Sequence, residues 1–294
     1  MTTAGNVPEL SAGLETFLES AGRAFLVTRR RDGIPTAHPL TPLWADGAMH
    51  FNTYRKSAKV RNILRHPRVA CVVTTADDDP SPFALECRGT ALVLDLADIP
   101  GTILGVDDHG EVMDEADLAR VRQNVASGKR IYLRVVPEEW TVCEPLAPSV
   151  AALPDELAPD PAAFLGALVP SHIAMTAEEA VAFLRQKQVA VLGTVDGEGT
   201  PRGRPVRYSV GRGVLHVTVP RLSPSLVDLA EGSAASATVE EFPSYDKIRG
   251  VMAHGPARFF LDPPTGEGGA EWTEVGLRVD RLVSFDFSKI SRAH

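Results

Sequence analysis

The residues best equipped for chemistry lie together in Phe51-Asn52-Thr53-Tyr54-Arg55-Lys56-Ser57-Ala58-Lys59-Val60-Arg61-Asn62. Two of the chain's six lysines and two arginines fall within these twelve positions. The pattern predicts a strand end running into a helix start, with Ser57 at the N-cap. The backbone N–H groups behind that cap would point at any anion placed there. Lys59, Arg55 and Arg61 could then neutralise a phosphate monoester, the lysine as a compact charge and the arginines as bidentate forks. The same spacing also describes a capped helix with a solvated basic face, because charge runs usually face water. Spacing alone leaves both readings open.

Other chemistries are poorly supported. Gly197-Glu198-Gly199-Thr200-Pro201-Arg202-Gly203 is the nearest approach to a dinucleotide loop, but it sits between predicted strands with no helix after it. No nucleophile elbow and no HExxH occurs, and the three cysteines (Cys71, Cys87, Cys143) form no CxxC. Nothing in the pattern suggests covalent catalysis or a metal site. With 30 Lys+Arg against 38 Asp+Glu and a net charge of −8, the chain lacks the basic balance of a nucleic-acid binder. No apolar run is long enough to span a membrane, and the start has no export signature. A cytoplasmic, membrane-free protein of two domains is expected for these 294 residues.

An internal repeat sets the organisation. An offset of 166 residues aligns Phe17–Ala91 with Phe183–Ala257 without gaps, and 15 of the 75 positions are identical. They include Thr28/Thr194, Gly33/Gly199, Pro35/Pro201, Gly47/Gly213, His50/His216, Ser57/Ser223 and Gly89/Gly255, where backbone geometry is special. Leu133-Arg134-Val135 echoes Leu277-Arg278-Val279 at an offset of 144, so the first copy carries an insertion, with Glu111–Ser127 reading as a helix. The copies are expected at 1–143 and 172–294. Between them, 144–171 is rich in Pro and Ala and reads as a stiff, extended connector. Each copy predicts a leading helix, closely spaced short strands and one short helix. For the second, Thr176 and Glu179 make a capping box. Such strands argue small antiparallel barrels.

The order Val27-Thr28, Asp32-Gly33-Ile34-Pro35-Thr36-Ala37-His38-Pro39-Leu40-Thr41, Phe51-Asn52-Thr53, Ser57-Ala58-Lys59-Val60-Arg61-Asn62, His66-Pro67-Arg68-Val69 and Cys87-Arg88-Gly89-Thr90-Ala91 resembles the FMN-binding split β-barrel superfamily. This is the pyridoxamine 5'-phosphate oxidase-like group, which includes F420-dependent reductases. The resemblance implies a mainly β fold with α, built as two tandem six-stranded-type antiparallel barrels packed as an internal pseudo-dimer. It implies FMN as cofactor, with F420 as the alternative. It places Lys59, Ser57, Arg61 and Arg55 around the phosphate, and Asn52 and Thr53 at the ribityl chain or ring edge. His38, Pro39, Leu40 and Thr41 would run beside the ring. Hydride transfer through flavin N5 to or from a small organic molecule, with NAD(P)H as a possible partner, is the implied activity, and no acid or base is named.

The second copy departs at a decisive point. Ser225 stands where Lys59 stands, Val227 replaces Arg61 and Asp228 replaces Asn62. Losing a cation and gaining a carboxylate weakens a dianion site, so one competent and one degenerate site are expected. Pro224 suits the first helical position. Arg202 and Arg204 alternate onto one strand face with Arg207 on the other. Arg204 and Arg207 are candidates for an acidic substrate, a nicotinamide pyrophosphate or an F420 tail. A non-catalytic flavin or haem protein is the rival class, with His254 in Val251-Met252-Ala253-His254-Gly255 as a conceivable axial ligand. A scaffold that has lost its cofactor is a third reading. The chain is expected to stand as a monomer or to dimerise further.

Overall fold

A computed structural model describes residues 10–75, 82–106, 112–147, 153, 157–229, 232–241, 247–259 and 272–289. It divides into two compact units, the first holding most of the chain up to Cys143 and the second the remainder together with Asp32–Ala37. In the first unit α1 (Ala12–Ser20) precedes β1 (Ala24–Arg29), β2 (Pro35–Leu40), β3 (Leu43–Ala45) and β4 (Ala48–Tyr54). Then come α2 (Ala58–Ile63), β5 (Arg68–Thr74), β6 (Ala84–Leu94), α3 (Gly101–Leu104), α4 (Glu115–Ala126) and β7 (Arg130–Val142). The second unit has α5 (Ala177–Gln186), β8 (Val189–Val195), β9 (Pro201–Val210), β10 (Val214–Pro220), α6 (Pro224–Asp228), β11 (Ala234–Glu241), β12 (Arg249–Phe259), β13 (Trp272–Arg278) and β14 (Arg281–Asp286). The capping box on α5 forms as predicted, the Thr176 hydroxyl accepting from the Glu179 N–H and the Glu179 carboxylate from the Thr176 N–H.

Both sheets are antiparallel. The second closes into a six-stranded barrel, β11-β8-β9-β10-β13-β12 and back to β11, with β14 added to β12. The first runs β2-β1-β5-β6-β7-β4-β3 and stays open. One residue accounts for the difference. The segments β2 and β3 are the two ends of what is a single strand, β9, in the second copy; Leu43 opposes His50 as Val210 opposes Leu215 two turns of chain later. Pro42 interrupts the first copy, whereas the residue 166 positions on is Tyr208, whose N–H donates to the Gln188 carbonyl. Proline has no N–H to donate, so the ladder breaks there.

The tandem reading extends to register. Val27 opposes Ala70 as Gly193 opposes Ser236, and Arg68 opposes Thr90 as Ala234 opposes Pro256. After the insertion the expected offset of 144 is corrected. Met49 faces Val135 while Leu215 faces Leu277, which fixes the offset there at 142. A two-residue slip leaves side chains on the same face of a strand, so the sequence echo could not detect it.

Shared glycines mark shared backbone geometry. Gly33/Gly199 and Gly47/Gly213 all have positive φ. At Gly89 the β6–β7 register shifts, and a Cβ there would overlap the Val136 carbonyl; at Gly255 it would overlap the Arg278 carbonyl. Those two carbonyls are themselves related by the 142-residue offset, so one close approach of neighbouring strands is built twice.

Each unit has its own core, Leu26, Phe51 and Leu133 among others in the first and Leu192, Leu215 and Leu277 in the second. The insertion adds a satellite cluster in which Leu118, Val121 and Val125 of α4 meet Tyr132 and Leu94. The stretch read as a connector differs from expectation. Pro161–Ala167 forms a 3₁₀ helix capped by Asp160, and Phe164 is fully buried in the second core. Its apolar residues were outweighed by proline and alanine in the sequence reading, yet a large ring gains most from burial. Among the described residues no helix is long and apolar enough to cross a membrane. Replacing Gly89 or Gly255 by alanine should each cost at least about 2 kcal/mol through overpacking against backbone, read by chemical denaturation, while Gly166→Ala, which meets nothing within 4 Å, should change stability little.

Candidate functional site

The strand-to-helix segment folds as expected, and three of its residues converge. In β4, Thr53 faces inward with Phe51, opposite Ile131 of β7. Chain reversal through residues 54–57 brings α2 back across the strand end, and the Lys59 ammonium donates to the Thr53 hydroxyl at 3.3 Å. Ser57 occupies the N-cap position, but its side chain caps nothing; its Oγ is buried with no hydrogen-bond partner. Burial, and after it the positive charge of Arg130, lowers the Lys59 ammonium from an ordinary value of 10.5 to about 8. It therefore remains mainly charged at neutral pH. Two cations and an unsatisfied hydroxyl around one strand end are what an anion would complete.

Arg130 escaped the sequence reading. It opens β7 opposite Tyr54, lies over the Tyr54 ring with its guanidinium 4.0 Å from the ring centre, and approaches the Asn52 Oδ1 at 3.5 Å. The available signal was the basic turn Lys129-Arg130 after Gly128, but only strand pairing brings it beside Lys59.

Other predicted residues land elsewhere. Asn52 is on the opposite strand face from Thr53, turned with Arg130 towards a cavity under α4. Arg61 follows Lys59 by two residues, roughly 200° around a helix, and is exposed in the last turn. The Arg55 side chain is exposed, its backbone N–H bonded to the Lys129 carbonyl. His38 is buried in β2, an end strand of the sheet, with Pro39, Leu40 and Thr41 half-buried after it. Asn62 is no part of the anion cluster: its amide donates to the Thr28 hydroxyl at 3.0 Å and ties α2 to β1.

The same tie exists in the second copy. The Thr194 hydroxyl donates to Asp228 at 3.2 Å, and the Arg202 Nε donates to the same carboxylate at 3.0 Å. The expectation that Asp228 acts against a dianion is thus corrected: its charge is matched by Arg202 and holds α6 in place. Pro224 does sit in the first turn, and Ser223 there accepts from the Ser225 N–H at 3.2 Å, the bond that Ser57 leaves unmade. Ser225 is buried, and the counterpart of Arg130 is Trp272, opposite Pro220. Both cations are therefore absent from the second copy.

The arginines read as substrate contacts already hold protein partners. Arg204 is buried and ion-paired with Glu144, and Arg207 donates to the Ala147 carbonyl at 2.6 Å and to Gln188 at 3.1 Å. His254 is 2% exposed with its Nε2 3.2 Å from the Thr36 hydroxyl, so it does not present the open face that an axial haem ligand needs. The matched histidines are structural. His216 Nδ1 lies 2.7 Å from the buried Glu274 carboxylate, whereas Tyr132 occupies the corresponding place near His50, and burial together with Arg134 keeps His50 below its usual pKa. Cys71 and Cys87 oppose each other in the first core, and burial raises both thiols.

Residues 10–143 match the family described as Pyridoxamine 5'-phosphate oxidase. No curated protein matches the chain. Among solved structures, the conserved hypothetical protein Rv2991 from Mycobacterium tuberculosis is similar over 48% of this chain and 89% of its own, at 23% identity and a TM-score of 0.38. An F420 reductase is similar over 45% and 98%, at 22% identity and 0.33. HutZ, the heme storage protein from Vibrio cholerae, is similar over 46% and 94%, at 13% identity and 0.34. Likenesses this loose say nothing of ligand.

The Lys59 environment has a measurable pH signature. The unfolded chain keeps this proton to about 10.5 and the native protein releases it near 8, so between those values the unfolded state binds more protons and stability rises with pH. Lys59→Met should abolish that rise. In urea titrations from pH 7.5 to 10.5, the stability advantage of the variant over the parent should shrink steadily.

Proposed function

We propose that the pyridoxamine 5'-phosphate oxidase-like domain at residues 10–143 binds a flavin by its phosphate and serves an oxidoreductase. One observation carries this reading: the Lys59 ammonium, with the charge of Arg130 acting on it, stands beside a buried Ser57 hydroxyl that has no partner. The second copy has lost Lys59 and Arg130 at their equivalent positions and has used the serine as an ordinary cap. Such a coordinated difference fits a ligand held by one copy.

In this reading Lys59 and Arg130 supply charge to the phosphate, while Ser57 and Thr53 supply hydroxyl donors. The ring would follow the exposed edge of β2, where His38, Pro39, Leu40 and Thr41 offer backbone groups and small side chains. Bound flavin supplies hydride chemistry at N5, and the protein's part is to orient it and exclude water. The phosphate site by itself suits FMN, F420 or FAD alike.

The direct test is flavin affinity, followed by quenching of flavin fluorescence. Lys59→Ala should weaken FMN at least about tenfold, the loss of one charge-assisted contact, and Ser225→Ala should leave it unchanged. Affinity for FMN should also decline as pH rises above about 8, where the free protein loses the Lys59 proton, and that decline should vanish in Lys59→Ala. Equal losses at Lys59 and Ser225 would refute the asymmetry. Oxidation of NADPH by the flavin-loaded protein then separates an enzyme from a storage or sensing protein.

A further inference from the structure

The geometry points to a second compartment of the same cofactor site: a cavity under α4 that takes a neutral, hydrogen-bonding group joined to the cofactor phosphate as a diester, of the kind the adenosine of FAD provides. This rests on the phosphate reading just given and deepens it. The cavity measures about 570 Å³ and is floored by Asn52, Tyr132 and Arg130 from β4 and β7. Its wall is one stripe of α4, namely Asp117, Val121 and Asn124, spaced i, i+4 and i+7.

Position makes it continuous with the anion cluster. Adjacent residues of β4 serve the two places: Thr53 meets Lys59 at 3.3 Å, and Asn52 meets Arg130 at 3.5 Å. Arg130 lines the cavity itself. A monoester phosphate ends at the cation cluster. A diester carries the ligand onward, and the void beside Arg130 has the volume to receive it; ligand pockets typically span roughly 300–1,000 Å³.

The lining selects the chemistry of that extension. Asn52 and Asn124 each offer a donor and an acceptor, which suits the edge of a heteroaromatic base. Val121 and the ring of Tyr132 add apolar surface. Two carboxylates also line the space: Asp114 caps α4 by accepting from the Asp117 N–H at 2.8 Å, and Asp117 pairs with Arg120 at 2.7 Å. A chain of carboxylates entering there would meet like charge, whereas a neutral nucleoside would not. The insertion that contributes α4 belongs to the copy holding Lys59. The shift in offset from 166 to 142 shows that the second copy's sequence is shorter across this region.

The test compares FMN, FAD and F420 by titration calorimetry on the full chain. The parent should bind FAD at least about tenfold tighter than FMN, and tighter than F420 with its oligoglutamate tail. Asn124→Trp, which fills the cavity, should erase the FAD advantage while FMN stays within about twofold. Asn124→Ala, shown to be folded by circular dichroism and thermal melting, should cost FAD about three- to tenfold, the loss of one buried hydrogen bond, and FMN nothing. Equal affinity of the parent for FMN and FAD, or an Asn124→Trp variant that binds FAD unchanged, would overturn the second compartment. Tighter binding of F420 than FAD would overturn its neutral character. If Lys59→Ala weakens none of the three, the phosphate reading fails, whatever the cavity does.

Discussion

Repulsion between two positive charges organises the first unit's candidate site. Lys59 is drawn into the protein by its aliphatic stem and by Thr53, while Arg130 approaches from the neighbouring strand and lowers its proton affinity. A folded protein rarely keeps such an arrangement for its own stability, because buried charge is costly unless paired. Strand pairing between β4 and β7 imposes it, and the fold tolerates it because the cores on either side are independently filled. An anion that joins the cluster converts the tension into binding, which is why the phosphate reading follows from electrostatics more directly than from residue pattern.

The two copies act as an internal control. Backbone constraints persist in both: positive-φ glycines in the turns, and a glycine where strand meets carbonyl in β6 and β12. The tie from helix to first strand persists too, made by an amide in one copy and a carboxylate in the other. What changed is charge. Lys59 became Ser225, Arg130 became Trp272, and Thr36 became Arg202, which matches Asp228. The fold's requirements were kept while the demands of a ligand were dropped.

Much of the architecture was legible in the sequence because it rests on local rules. Glycines at turns, the Thr176–Glu179 capping box and strand alternation depend on near neighbours, and these elements appear where expected. Lys59 and Thr53 were also found, since one short helix links them. Arg61 and Asn62 were assigned to the phosphate by proximity in sequence, but helical rotation carries Arg61 away from Lys59, and a buried hydroxyl claims Asn62. Phe164 was hidden in a proline-rich stretch whose composition disguised a core residue. Arg204 and Arg207 looked available because nothing in sequence shows that Glu144 and Ala147 return to meet them.

Sequence by itself determined the repeat, the strand-and-helix grammar and the difference in charge between the copies, because each is a property of residue type and spacing. Tertiary structure alone decided that Pro42 opens one sheet while Tyr208 lets the other close, since a missing N–H matters only where a partner strand awaits it. It also decided that Arg130, 71 residues beyond Lys59, shares its field. Long-range pairing sets which charges meet, and no local rule of propensity or capping contains that information.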